Sequence, residues 1–271
     1  METFARALQA IVPVAWTATA AAYCVAFHRP SAGGERACAR LAALAIAFHV
    51  ALFAAVGLAG RPMVASAGGA LASMGLAVAG VHLVLERRIG TRSIGVFPVM
   101  IAVVLTLAAA SVDMLRWPTT DVPQWSTGLH VLGAVLAYSG LLLAAVYGAL
   151  FLVQRDALRK RRFGLFFERL PSLELLDQFS WHSLVAAAVF LTFTIGLGHR
   201  VGRTDGLEFP YHDPKVWFTN LIWLTCVVLV VLRRVRRVRP ATSAWGCVVL
   251  FTLALGNMLI VDHFSQVHPT F

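Results

Sequence analysis

The chain has 271 residues, 59% of them apolar and 13% charged, and its mean hydropathy is +0.75. Soluble domains carry about 25% charged residues, so this balance excludes a soluble globular fold and points to lipid as the solvent. The net charge of +10 does not signal nucleic-acid binding. The basic residues cluster at the ends of apolar segments, where they set topology and meet anionic lipid.

Eight apolar segments follow one another, at roughly 8–27, 41–60, 65–86, 93–115, 128–154, 177–197, 215–233 and 241–263. Only helices can satisfy every backbone polar group within segments of this length in a bilayer. The expected fold is therefore all-α: a polytopic membrane bundle of eight transmembrane helices forming one integral membrane domain over residues 1–271. The first segment has the outline of a secretory leader. Its charged start is weak, Glu2 offsetting Arg6, and its apolar run is long enough to span, so it reads as a retained helix. No internal repeat or low-complexity linker interrupts the pattern.

Charge fixes the expected orientation. The connections near 28–40, 86–93, 155–175 and 233–240 hold 17 of the 23 Lys and Arg residues. The positive-inside rule makes that set cytoplasmic and places both termini outside. The runs at Glu86-Arg87-Arg88, 155–162 and 233–239 read as solvated topology anchors. The four cysteines, Cys24, Cys38, Cys226 and Cys247, form no CxxC pair; Cys38 falls in an inner loop and the rest within spans, which suggests packing roles.

The fifth segment organises the chain. Trp125-Ser126-Thr127-Gly128 precedes His130, some two dozen mostly apolar residues follow, and a basic run ends the stretch at Arg162. Ser126 or Thr127 can cap this helix. His130 is thereby expected at its outer mouth. Of the nine histidines, His130, His199, His212, His263 and His268 fall outside and His28 at the inner face. His49, His82 and His182 lie within spans, all in the cytoplasmic half.

Two imidazoles on one side could ligate a metal ion or both axial positions of a haem iron. Haem suits an interface, because its macrocycle is apolar and its propionates seek cations. Trp117, Trp125, Tyr211 and Trp217 could stack on it, while Arg116, Arg200, Arg203 and Lys215 could meet the propionates. The plainer reading is that histidine and tryptophan are ordinary at membrane interfaces. His49, His82 and His182 could form a second haem site, or simply bond to neighbouring helices. Asp113 or Asp262 could orient a ligand imidazole, or end a span in water. No nucleophile–base arrangement and no Walker, Rossmann or metalloprotease motif is present, which argues against a catalyst with its own nucleophile.

Several stretches resemble the cytochrome c assembly superfamily of CcsA, CcmC and the shorter HemX/YpjD-type membrane proteins. His130-Val131, followed by Ala137-Tyr138-Ser139, is similar to the start of the helix that carries a periplasmic haem-ligand histidine. Arg169-Leu170-Pro171-Ser172-Leu173-Glu174-Leu175-Leu176-Asp177 resembles a segment typical of the HemX/YpjD type. Leu191-Thr192-Phe193-Thr194-Ile195-Gly196 looks like a further family stretch, and Asp213-Pro214-Lys215 with Trp217 and Trp223 like the end of the outer loop and the helix after it. His268 resembles the terminal histidine that pairs with the first. Two departures favour the shorter type: residues 199–212 contain no tryptophan, and Val228 to Leu232 contain no histidine.

The resemblance covers about residues 128–271 and implies haem b held at the periplasmic face of a bacterial inner membrane by His130 and His268. The loop 198–217 would cover the haem. Other cytochrome c maturation proteins or apocytochrome c would be the partners. A regulatory or scaffolding membrane protein is the second reading, and a small-solute permease using the inner-half histidines the third.

Overall fold

The computed structural model describes residues 2–59, 67–89, 95–111, 125–162, 164–204 and 212–259. The described residues form nine helices and no strand. They are α1 (Glu2–His28), α2 (Ala32–Leu58), α3 (Ala67–Ile89), α4 (Val96–Ser111), α5 (Trp125–Arg159), α6 (Leu165–Arg169), α7 (Leu173–Thr204), α8 (Pro214–Arg234) and α9 (Pro240–Leu259). Seven are long and apolar enough to cross a bilayer. The eighth expected span, 93–115, is described only as the 16-residue α4, about 24 Å at 1.5 Å per residue. The chain is thus a multi-pass helical membrane protein, with seven candidate spans and the shorter apolar α4 among the described residues.

Helix ends depart from the apolar limits because caps, not hydropathy, set them. Ser31 caps α2 by accepting the Gly34 N–H at 3.0 Å, so α2 begins at Ala32, nine residues before the expected span. Cys38 is therefore not in a loop; it is helical and buried in a core. At the other end α7 runs on to Thr204, so His199 and Arg200 are helical rather than in a covering loop. Asp213 caps α8 by accepting the Lys215 N–H at 2.8 Å, with Pro214 at the first helical position. The helix closes at Arg236, whose φ of 56° is left-handed, and the Arg237 N–H reaches back to the Leu232 carbonyl at 2.9 Å.

The chain divides into two compact units, residues 1–123 with 162–171, and residues 124–161 with 172–271. In the first, α1 packs against α2 and α4, and α4 against α3. Leu8, Val12, Trp16, Ala20 and Tyr23 recur at helical spacing along the buried face of α1. They meet Ala42, Ala45, Leu52 and Ala55 of α2 and Val99 and Ala102 of α4. Alanine at so many contact positions lets the helix backbones approach closely, which is how helices associate without a hydrophobic driving force.

In the second unit α5 is the central helix, packed along α7 and α9, and α8 lies against α7 and α9. Its core joins Ala137, Leu141 and Ala144 to Leu184, Ala187 and Leu191, Ile222 and Cys226, and Cys247, Leu250 and Ala254. Gly140 permits a close approach of α5 to α7: a Cβ there would lie 3.0 Å from the Ala187 Cβ and 3.1 Å from its backbone. Only Ile222 and Cys226 of α8 are buried, while Leu221, Leu224, Val228 and Val231 are exposed, as a lipid-facing helix requires.

The basic run at 233–239 is not uniformly solvated. Arg233 is 13% exposed and pairs with Asp177 of α7 at 2.6 Å. It also donates to Ser243 Oγ of α9 at 2.9 Å and lies 4.9 Å from the centre of the Trp181 ring. Three helix ends converge on one guanidinium, whose flat fork can serve several acceptors at once. Glu86 also departs from expectation: it is 5% exposed and accepts from Tyr23. A charge that close to the membrane interior needs polar partners, and α1 supplies one.

Candidate functional site

His130 lies in the second turn of α5, half-buried against α7. Its Nδ1 is 2.9 Å from the Thr194 carbonyl of α7. A carbonyl only accepts, so the ring donates there, and Nε2 carries the imidazole lone pair. Gly198, one turn further along α7, borders the same ring. Gly133, less than a turn along α5, abuts the Thr194 hydroxyl.

The start of α5, the end of α7, the start of α8 and the end of α9 share one end of the unit. Asn257 of α9 donates to Thr219 of α8 at 3.0 Å and to Tyr138 of α5 at 3.4 Å. Trp223 Nε1 donates to Thr192 Oγ1 at 2.8 Å. Two buried polar atoms here, Thr194 Oγ1 and Asn257 Oδ1, have no hydrogen-bond partner among the described residues.

Two of the cations named from sequence, Lys215 and Arg200, are described at this end. Lys215 lies in the first turn of α8. Arg200 is exposed on α7, two residues past Gly198. Trp217 is 67% exposed at the start of α8, where an amphipathic ring suits a membrane interface. Trp125 opens α5 and Arg203 belongs to the last turn of α7, but their side chains lie outside what is described. His268, His263, Asp113, Asp262, Arg116, Trp117 and Tyr211 lie outside the described residues. His212 is exposed just before the cap of α8.

The three span histidines occupy separate surroundings. His49, fully buried in the first unit, accepts from Trp16 Nε1 at 3.1 Å and packs edge-on to Phe53. Its polar neighbour on α3 is the Ala72 backbone, which does not reach hydrogen-bond geometry with Nε2. His82, also fully buried, lies ten residues further along α3, about 15 Å of helix axis. Its Nε2 is 3.2 Å from the Glu86 carboxylate that Tyr23 donates to at 2.8 Å. His182 is exposed on α7 in the other unit. No group of three or more His, Cys, Asp or Glu able to hold a metal ion occurs among the described residues.

Sequence reasoning missed the roles of Thr194, Gly198, Trp16, Tyr23 and Glu86. Only Glu86 carried a readable signal, as it follows His82 by four residues and so shares its helix face. The others act through a carbonyl, a missing side chain or a partner on another helix.

The chain is 31% identical over 131 residues to Protein HemX of Brevibacillus brevis, covering 48% of each chain. It is 21% identical over 140 residues to Protein HemX of Bacillus subtilis (strain 168), covering 52% of this chain and 51% of that one. It thus spans about half the length of the curated relatives it matches. No solved structure matches it. The model of one family, however, matches residues 64–268, a span that includes His130 and runs to His268. On that match, over three quarters of its length, the chain belongs to the cytochrome C assembly protein family.

Proposed function

We propose that this protein handles haem b at the periplasmic face of a bacterial inner membrane, holding the iron between His130 and His268. One observation carries the reading: the Nδ1 of His130 donates to the Thr194 carbonyl, so Nε2 is the basic nitrogen. That is the tautomer an iron ligand needs, with the second nitrogen anchored to the protein. Haem would supply the iron and the redox chemistry. The residues of this chain would hold, orient and shield it.

The surroundings fit the group. Lys215 and Arg200 supply cations for propionates at the end of the unit that bears His130, and Arg203 follows on α7. Trp217 and Trp125, at the starts of α8 and α5, offer apolar faces at the interface. The orphaned Thr194 Oγ1 and Asn257 Oδ1 favour a polar guest at this end. His268 is nine positions beyond Leu259, the last described residue of α9. An extended chain of that length reaches up to about 30 Å. A second site at His49 and His82 is less favoured, because each already serves its own hydrogen-bond network.

The test is a visible spectrum of the purified protein after haem-replete expression. A Soret band that His130→Ala and His268→Ala each diminish, and that the double variant loses, supports the reading. A band that survives the double variant refutes it. One second reading is a regulatory or scaffolding membrane protein that senses haem or steadies a partner without delivering haem. Gene deletion separates the two: covalent c-type haem, with apocytochrome c and other maturation proteins as partners, falls only if the protein delivers it.

A further inference from the structure

A carbonyl in the middle of a helix is normally a poor acceptor for a neighbouring helix. The Thr194 carbonyl of α7 already receives the helical N–H of residue 198. Each Cα–Cβ bond on a helix tilts toward the N-terminus, so the side chain at residue 198 would lie over that carbonyl. Residue 198 is glycine. The space its side chain would fill is taken by the His130 imidazole: a Cβ at 198 would come 2.9 Å from Cε1 and 3.3 Å from Nδ1. The first distance is too short for any real contact, so either the ring or α7 would have to move.

We infer that Gly198 is a positioning residue for His130, acting through the Thr194 carbonyl that it leaves uncovered to fix the tautomer and plane of the imidazole. The inference rests on His130 as the haem ligand only for its consequence, not for its geometry. Without Gly198 the ring loses its route to the carbonyl and reverts toward the Nε2–H tautomer that an unconstrained imidazole favours. The basic nitrogen then changes sides. Gly133 assists by letting α5 approach α7 at the level of Thr194. Gly196, on the same helix, has open space where its Cβ would be and provides a matched control.

The experiment begins without haem. Protein carrying 15N-labelled histidine is placed in lipid nanodiscs, and the His130 ring resonances are identified as those missing from His130→Ala. The expected result is Nδ1–H in the parent and in Gly196→Ala, with a shift toward Nε2–H in Gly198→Ala. Equal tautomers in Gly198→Ala and Gly196→Ala overturn the inference. Should Gly198→Ala not fold, the parent decides: His130 protonated at Nε2 overturns it, and protonation at Nδ1 sustains it. Haem titration then adds the consequence, with affinity about tenfold weaker in Gly198→Ala and unchanged in Gly196→Ala, the loss typical when a ligand's own hydrogen-bond partner is removed. If His130→Ala leaves haem affinity untouched, the ligand reading fails while the tautomer result still stands. If His130→Ala loses haem and the two glycine variants bind it alike, the positioning role fails and the ligand reading remains.

Discussion

Arg233→Ala removes the guanidinium that ties α7, α8 and α9 together. Its side chain is 13% exposed and that of Asp177 22%, and their contact is 2.6 Å. An exposed ion pair contributes about 0–1 kcal/mol, whereas breaking a fully buried one costs about 3–5 kcal/mol. This pair lies between those limits, closer to the buried one, so we expect about 2–3 kcal/mol. That cost includes the bond to Ser243 and the stacking over Trp181, because both are lost with the same group. Asp177→Asn keeps the shape and removes the charge, so a double-mutant cycle isolates the pair at about 1–2 kcal/mol of coupling. Arg234 is exposed in the same basic run. Its replacement by alanine should cost no more than about 0.5 kcal/mol. Unfolding in mixed detergent micelles, followed by circular dichroism, measures all four variants. Equal costs for Arg233→Ala and Arg234→Ala, or zero coupling to Asp177, would refute the reasoning and restore the basic run to a purely topological role.

Two further outcomes are expected. Tyr23→Phe removes a donor from the buried Glu86 carboxylate and should destabilise the first unit by about 1–3 kcal/mol; thermal unfolding unchanged from the parent would show that the contact is immaterial. Lys160→Cys, in a Cys24→Ser background, tests orientation, since Lys160 is 55% exposed beyond the basic end of α5. A membrane-impermeant maleimide applied to intact spheroplasts should leave it unlabelled, and labelling would put the His130 end of α5 on the cytoplasmic side.

Composition and apolar run length alone determined that this is a multi-pass helical membrane protein, because the bilayer demands long segments whose backbone bonds close internally. The order of short stretches around His130, Arg169 to Asp177 and His268 was enough to point to the cytochrome c assembly family. The limits of helices were less legible. Hydropathy marks what sits in lipid, whereas the Ser31 cap and the long run of α7 to Thr204 obey local hydrogen bonding. Charge was legible as topology but not as contact. Arg233 and Glu86 look like any flanking charge in the sequence, and only packing brought Asp177 to one and Tyr23 to the other. The candidate site divides the same way. His130 was visible as an imidazole at a helix mouth, a matter of residue type and position along one segment. Which of its nitrogens is basic was decided by the tertiary structure, since the answer depends on a carbonyl 64 residues away and on a side chain that Gly198 does not have.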